Sequence, residues 1–323
     1  MTMNETVAII GAGNVGATLA QRLITQDIAD VVLVDILEGR PQGIALDLMQ
    51  ARSWEGHDRQ IVGSNDMDAI AGAAIVVITA GLPRQPGMSR DDLLLTNAKI
   101  IVEVTQQAIA RCPDALLIMV TNPLDVMTDV AWRVSGLPPE RVMGMAGILD
   151  SARFQTFLAE ALGVAAPDIQ AMVLGGHGDL MVPLVRYSTV RGIPLAAWLD
   201  DIAIAQIIDR TRNGGTEVVN LLKTGGAYYA PAAALAVMVK AILNDTPRIV
   251  PVSAYLNGQY YLHDLFMGVP CQLGREGIAR VVELDLTEAE TQALHQSATA
   301  VRQTRDRLQD WFATIGIPGF NGQ

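Results

Sequence analysis

Residues 7–16, read as Val-Ala-Ile-Ile-Gly-Ala-Gly-Asn-Val-Gly, constrain this chain more than any other stretch. An apolar run of strand length leads into Gly11, Gly13 and Gly16, and Val15, Leu19 and Leu23 follow at helical spacing. The order is strand, glycine turn, helix. Gly11 permits a tight turn, Gly13 lets backbone approach a pyrophosphate, Gly16 lets helix and strand pack closely, and the helix start offers free N–H groups to anionic oxygens. Glycines at this spacing also occur in turns that bind nothing. Here, however, a second apolar run, 31–34, ends in Asp35, about twenty residues on, where a carboxylate accepts hydrogen bonds from an adenosine ribose. Together these features predict a dinucleotide cradle.

The 323 residues, half of them hydrophobic, can bury a large core and have room for about two domains. A formal charge of -11, with no run of Lys and Arg to override it, disfavours nucleic acid or an anionic membrane as partner. An anionic small molecule held by a few local arginines stays compatible. Cys112 and Cys271 are far apart and form no C-x-x-C, so neither a disulfide framework nor a metal site is expected, which fits a reducing cytoplasm. No basic segment followed by an apolar signal region precedes the first strand, and the longest apolar stretch, 227–239, is interrupted by Pro231. Secretion and membrane insertion are not expected.

From residue 6 to about 145, continuous apolar runs at 7–10, 31–34, 75–79, 116–120 and 142–145 alternate with helical patterns. Continuous hydrophobicity implies strands buried on both faces, as in a parallel sheet flanked by helices. Between the third and fourth runs, Leu94, Ala98, Ile101, Val102, Thr105, Ala108 and Ile109 form an apolar stripe, with Asn97, Lys99, Glu103 and Gln106 on the polar face. After about residue 146 helical patterns at 149–162, 195–212, 217–222 and 232–243 precede a strand-rich region, 249–273, with Asn257-Gly258 as a hairpin signal. The last helix opens on a capping box, Thr287 and Glu290, and runs to about Phe312, ahead of a tail expected to be partly disordered from 314. The expected fold is α/β: a Rossmann-type parallel-sheet domain, 1–145, followed by an α+β substrate domain, 146–323.

Three clusters carry candidate chemistry. His177 lies in Leu-Gly-Gly-His-Gly-Asp, at the end of an apolar run and flanked by glycines, with the side chain best suited to proton exchange near neutral pH. His57, His263 and His295 lie in ordinary polar surroundings and read as structural or solvated. Asp150 and Arg153, three apart at a helix start, share a face; alone they read as a first-turn acid and a solvated arginine. Asn122 leaves the fourth strand before a proline, which by itself marks only a turn. A loop, 81–90, with two prolines and two arginines follows the third strand, at the sheet edge where ligands bind in such folds.

In order, Gly11-Ala-Gly-Asn-Val-Gly16, Asp35, the 83–90 loop, Thr121-Asn-Pro-Leu-Asp125, Gly147-Ile-Leu-Asp-Ser-Ala-Arg153, Gly175-Gly-His-Gly-Asp179 and Gly226-Ala-Tyr-Tyr-Ala-Pro231 resemble the lactate/malate dehydrogenase superfamily, and within it the lactate-dehydrogenase-like malate dehydrogenases. The resemblance extends to about Leu308. It implies that His177 exchanges a proton with the C2 oxygen of a 2-hydroxy or 2-oxo acid and that Asp150 orients its imidazole. It also implies that Arg153 grips the C1 carboxylate, Arg90 polarises the carbonyl, and Asn122 contacts substrate and nicotinamide.

By the same resemblance, Arg84 sets the substrate: a second carboxylate, present in oxaloacetate and absent from pyruvate, needs a cationic partner when the loop excludes water. Ala227 agrees, being small where lactate enzymes commonly have threonine; Gln85 departs mildly from the lysine of close relatives. Asp35 sets the cofactor as NAD, since a carboxylate there repels a 2′-phosphate and the neighbouring Ile36 and Leu37 offer no arginine to receive one. Gly11, Ala12, Gly13, Asn14, Val15 and Gly16 form the cradle, and Thr79, Gly81, Asn97, Val120 and Asn122 line the rest of the groove. A homo-oligomer, dimer or tetramer, is expected on the same ground. Three competing readings are weaker. Another 2-hydroxyacid dehydrogenase is disfavoured by Arg84, a NAD-dependent glycosidase lacks assembled metal ligands, and a non-catalytic NAD sensor has no need of His177, Asp150 and Arg153 together.

Overall fold

The computed structural model describes residues 5–83 and 88–316. Arg84 and Gln85, and the tail beyond 316, lie outside the described residues.

Five of the six strands that open the chain are the short, almost wholly apolar runs of the sequence. They are β1 (Thr6–Ile10), β2 (Asp30–Val34), β3 (Ile61–Ser64), β4 (Ile75–Ile78), β5 (Leu116–Met119) and β6 (Val142–Gly144). They lie parallel in the order β3-β2-β1-β4-β5-β6. Helices α1 (Asn14–Thr25), α2 (Arg40–Glu55), α3 (Arg90–Arg111) and α4 (Leu124–Ser135) connect them. Val7, Ala8, Ile9, Ile75, Val76, Val77, Leu117 and Ile118 are completely buried, as strands covered on both faces require. The strand order reverses between β1 and β4, and at the carboxyl ends of such a switch point the loops part and leave a crevice.

The second half continues the same sheet with opposite polarity. Helix α5 (Gly147–Leu162) leaves β6; β7 (Ile169–Gln170), β10 (Thr189–Val190) and β11 (Ile193–Pro194) make a small separate sheet, while β8 (Val173–Gly175) and β9 (Met181–Pro183) join the large one. Two further helices, α6 (Asp201–Leu222) and α7 (Tyr229–Leu243), precede the hairpin of β12 (Arg248–Asn257) and β13 (His263–Gly274). Strand β12 pairs antiparallel with β6 through Ser253 and Gly144, β13 pairs with β8, and β14 (Gly277–Val281) pairs with β13. The hairpin turns at Gly258, whose φ of 121 suits glycine. Helix α8 (Glu288–Asp306) opens on the capping box of Thr287 and Glu290, and a break precedes α9 (Gln309–Ile315).

Two expectations need correcting. Asn97, assigned to the polar face of its helix, is buried, because its amide is used against the neighbouring loop. The patterns at 195–212 and 217–222 are not two helices: α6 runs unbroken through Gly214 and Gly215. Glycine there disfavours a helix intrinsically, but Gly214 is buried where α6 crosses α5, and a Cβ on it would stand 3.3 Å from Phe157 and 3.4 Å from Arg153. Close packing therefore overrides propensity.

Candidate active site

The glycine turn begins where β1 ends. Gly11 adopts a φ of +113, its N–H donates to the Val34 carbonyl at 2.8 Å, and the Thr79 hydroxyl donates to its carbonyl at 3.0 Å. A Cβ on Gly16 would stand 1.9 Å from the Gly11 carbonyl oxygen, so only glycine lets α1 start this close to the strand. A Cβ on Gly13 would meet nothing within 4 Å; that face of the turn is open for a ligand. At one end of the turn, Asp35 accepts from the Ala12 N–H at 2.6 Å and from the Leu37 N–H at 2.8 Å. A carboxylate offers about four lone-pair sites, so two ribose hydroxyls can still donate to it. An open glycine turn with an acid at its adenosine end fits a dinucleotide.

From the turn a cleft of about 850 Å³ extends across the carboxyl edge of the sheet. Gly13, Asn14, Val15, Thr79, Gly81, Val120, Asn122, Arg153 and His177 line it, as do Ala227, Tyr228 and Arg212. Gly11, Ala12 and Gly16 form the turn beneath. Asn97 does not line the cleft. Its Oδ1 accepts from the Leu82 N–H at 2.8 Å and its Nδ2 donates to the Asn122 carbonyl at 2.8 Å, which ties the loop after β4 to the loop after β5. The Asn122–Pro123 peptide is cis. Arg90 is the first residue of α3, behind the Ser89–Asp92 capping box, exposed and outside the cleft lining.

His177 projects from the loop after β8. Gly175 and Gly178 both take a φ of +89, and Ser297 on α8 pins the loop by accepting from the Gly176 N–H at 2.8 Å while donating to the Leu180 carbonyl at 2.7 Å. His177 Nδ1 lies 2.9 Å from Asp150 Oδ2, and Arg153 donates to Asp150 Oδ1 at 3.3 Å. Gly147 brings Asp150 in: at the start of α5 it lies so near Val173 that a Cβ would stand 2.5 Å from that carbonyl oxygen. Burial pushes the His177 imidazole towards its neutral form, but the Asp150 charge and hydrogen bond outweigh this and hold its pKa above the ordinary value, against the opposing charge of Arg153.

A second carboxylate, not singled out from the sequence, supports the histidine from behind. Asp125 Oδ2 accepts the backbone N–H of His177 at 2.9 Å, and Oδ1 accepts the Ser253 hydroxyl at 2.7 Å. Burial raises the Asp125 pKa, and those two hydrogen bonds and the His177 charge offset part of the rise. Asp125 stood inside the Thr-Asn-Pro-Leu-Asp motif, but its partners lie 52 and 128 residues away along the chain, so nothing local marked it. The other histidines have structural surroundings: His295 Nε2 is 2.9 Å from the Tyr260 carbonyl oxygen and His263 Nδ1 is 3.4 Å from Asn257, whereas the His57 ring is buried and neither of its nitrogens has a hydrogen-bond partner.

Chemically, the cleft presents an acid-bound imidazole, an adjacent guanidinium and an open glycine turn on one edge of a sheet. Among the described residues no group of three or more His, Cys, Asp or Glu could hold a metal ion, and no helix is long and apolar enough to cross a membrane. Residues 5–144 match the NAD binding domain of lactate/malate dehydrogenase and residues 148–310 its alpha/beta C-terminal domain. The chain is 59% identical over 307 residues to a malate dehydrogenase of Nostoc punctiforme, covering 95% of this chain and 94% of that one. Among solved structures, a malate dehydrogenase from Salinibacter ruber is 48% identical with a TM-score of 0.92, covering 96% of this chain and 99% of that one. A lactate dehydrogenase from Cryptosporidium parvum, complexed with lactic acid and nicotinamide adenine dinucleotide, is 42% identical with a TM-score of 0.91, covering 94% and 98%. The chain belongs to the lactate/malate dehydrogenase family, among its lactate-dehydrogenase-like malate dehydrogenases, and is an NAD-dependent oxidoreductase.

Proposed function

We propose that this protein is an NAD-dependent malate dehydrogenase that interconverts (S)-malate and oxaloacetate, with His177 as the general acid and base. The observation that carries the reading is the chain of contacts from Arg153 through Asp150 to His177 at the rim of the NAD groove. With Nδ1 committed to Asp150, Nε2 takes the C2 hydroxyl proton of malate, and Asp150 stabilises the imidazolium that forms. In reverse, the same nitrogen returns the proton to the C2 oxygen of oxaloacetate. NAD, when bound, accepts or supplies the hydride at C2. Arg153 holds the C1 carboxylate with its planar fork, Asn122 contacts the substrate, and Arg90, at the first turn of α3, polarises the C2 carbonyl.

Arg84 pairs with the C4 carboxylate that pyruvate lacks, a role that rests on the sequence and is favoured by relatives named malate dehydrogenase at 52–59% identity. The family also contains lactate dehydrogenases on nearly the same backbone, so the fold alone does not choose the substrate. Measuring kcat/KM for wild type and Arg84→Gln with oxaloacetate and pyruvate tests this. We expect the substitution to lower the oxaloacetate/pyruvate ratio by about 100-fold or more, the scale of an unpaired buried charge; an unchanged ratio means another group reads the C4 carboxylate. In this reading the NAD-binding domain ends near residue 145 and 146–323 forms the substrate domain. A cytoplasmic location accords with two buried, unpaired cysteines. The protein is read as a homo-oligomer, dimer or tetramer, which light scattering would resolve.

A further inference from the structure

The two residues after Asp35 supply no cation, but the fold brings one from further along. Arg40, the first residue of α2, donates through Nε to the Ala12 carbonyl at 2.7 Å, while the Ala12 N–H donates to Asp35 at 2.6 Å. One residue of the glycine turn therefore carries an acid on its N–H and an arginine on its carbonyl. The loop between them is pinned. Asn65 donates to the carbonyls of Asp35 and Leu37 at 2.7 and 3.0 Å, and Gln42 in turn donates to Asn65 at 2.6 Å. Arg40 is exposed and forms no ion pair with Asp35, and its bond to Ala12 uses only one of five N–H donors. The span of two hydrogen bonds and one residue places the guanidinium at most about 9 Å from the carboxylate, with two terminal nitrogens that reach farther.

We propose that Arg40 is a specificity-determining residue for the adenosine ribose, poised to receive an anionic group at the 2′ position, so that Asp35 alone excludes a 2′-phosphate. The proposal rests on the NAD reading of the groove and adds to it a cation that the neighbouring Ile36 and Leu37 do not supply. A phosphate near Asp35 is repelled by one full charge, yet meets in Arg40 a fork whose geometry matches its oxygens. Removing the acid leaves the fork unopposed. The hydride and the 2-oxo acid belong to the other end of the dinucleotide, so binding alone reads the effect.

The experiment measures dissociation constants for NADH and NADPH, by fluorescence of the bound nicotinamide, in wild type, Asp35→Ser and Asp35→Ser/Arg40→Gln. Asp35→Ser is expected to shift the NADPH/NADH affinity ratio towards NADPH by about 100-fold, and adding Arg40→Gln to take back about tenfold of that shift, the scale of a charge-assisted hydrogen bond. Equal ratios in the single and double variants would overturn the proposal, as would a loss that is the same for both dinucleotides. Failure of wild type to bind NADH would instead overturn the NAD reading beneath it.

Discussion

The proton-transfer reading stands or falls on one pair of side chains. The Asp150 charge holds the His177 imidazole above its ordinary pKa despite burial, so the protonated form persists to higher pH than in a free histidine. With His177 as the proposed acid and base, malate oxidation requires the neutral ring, so its kcat/KM should fall on the acidic side of a limb displaced above the ordinary histidine range, while oxaloacetate reduction, which requires the charged ring, should fall on the basic side of the same limb. Replacing Asp150 by Asn removes the charge that raises the pKa. The limb should then move to lower pH and turnover drop by about 10³–10⁴-fold, as for an imidazole that loses its orienting acid; a variant whose limb stays in place would dissociate Asp150 from the titration. His177 was legible because glycines flank it at the end of an apolar run, whereas Asp150, alone an ordinary first-turn acid, was singled out only through the family resemblance of Gly147-Ile-Leu-Asp-Ser-Ala-Arg153. Asp125 was not, because an acid in the first turn of a helix is ordinary until folding puts the His177 N–H and the Ser253 hydroxyl on its two oxygens. Arg40 was missed for a related reason: it stands five residues past Asp35 in sequence, and only the turn brings both to Ala12.

At the scale of elements, short continuous apolar runs foretold five of the six parallel strands to within a residue or two, since burial on both faces leaves a purely local signature, whereas β3, at the sheet edge with only Ile61 buried, left no such run. Helix α6 shows where local signals mislead. Two adjacent glycines fall between the patterns at 195–212 and 217–222, yet the helix runs on through them, with Gly214 packed closely against Phe157 of α5 and Gly215 within contact distance of the Arg153 guanidinium. A Cβ on Gly215 would lie 3.4 Å from an Arg153 terminal nitrogen, in the wall of the cleft. Gly215→Ala should therefore gain up to about 1 kcal/mol of helix stability while crowding the side chain proposed to grip the substrate carboxylate. Thermal unfolding and steady-state kinetics together should show an unchanged or raised Tm with a KM for oxaloacetate several-fold higher. A lowered Tm with unchanged KM would mean that the contact is structural only.

At the scale of the molecule, the α/β class and the change of texture near residue 145 were legible, but the continuity of the sheet was not. Strand β6 pairs with β12 through Gly144 and Ser253, more than a hundred residues apart, and the hydroxyl of that same Ser253 reaches Asp125 behind the loop of His177. The join between the two halves of the sheet is thus also the support of the site, a relation that no local pattern carries. It sets His177 and Arg153 along the same cleft as the open glycine turn, and in the proposed reading substrate choice falls to Arg84. The proposed activity is tested most directly by NADH oxidation with the wild-type protein, oxaloacetate and pyruvate being offered in parallel. The expected kcat/KM for oxaloacetate is at least about 100-fold above that for pyruvate, and an equal or higher value with pyruvate would rule out malate dehydrogenase activity.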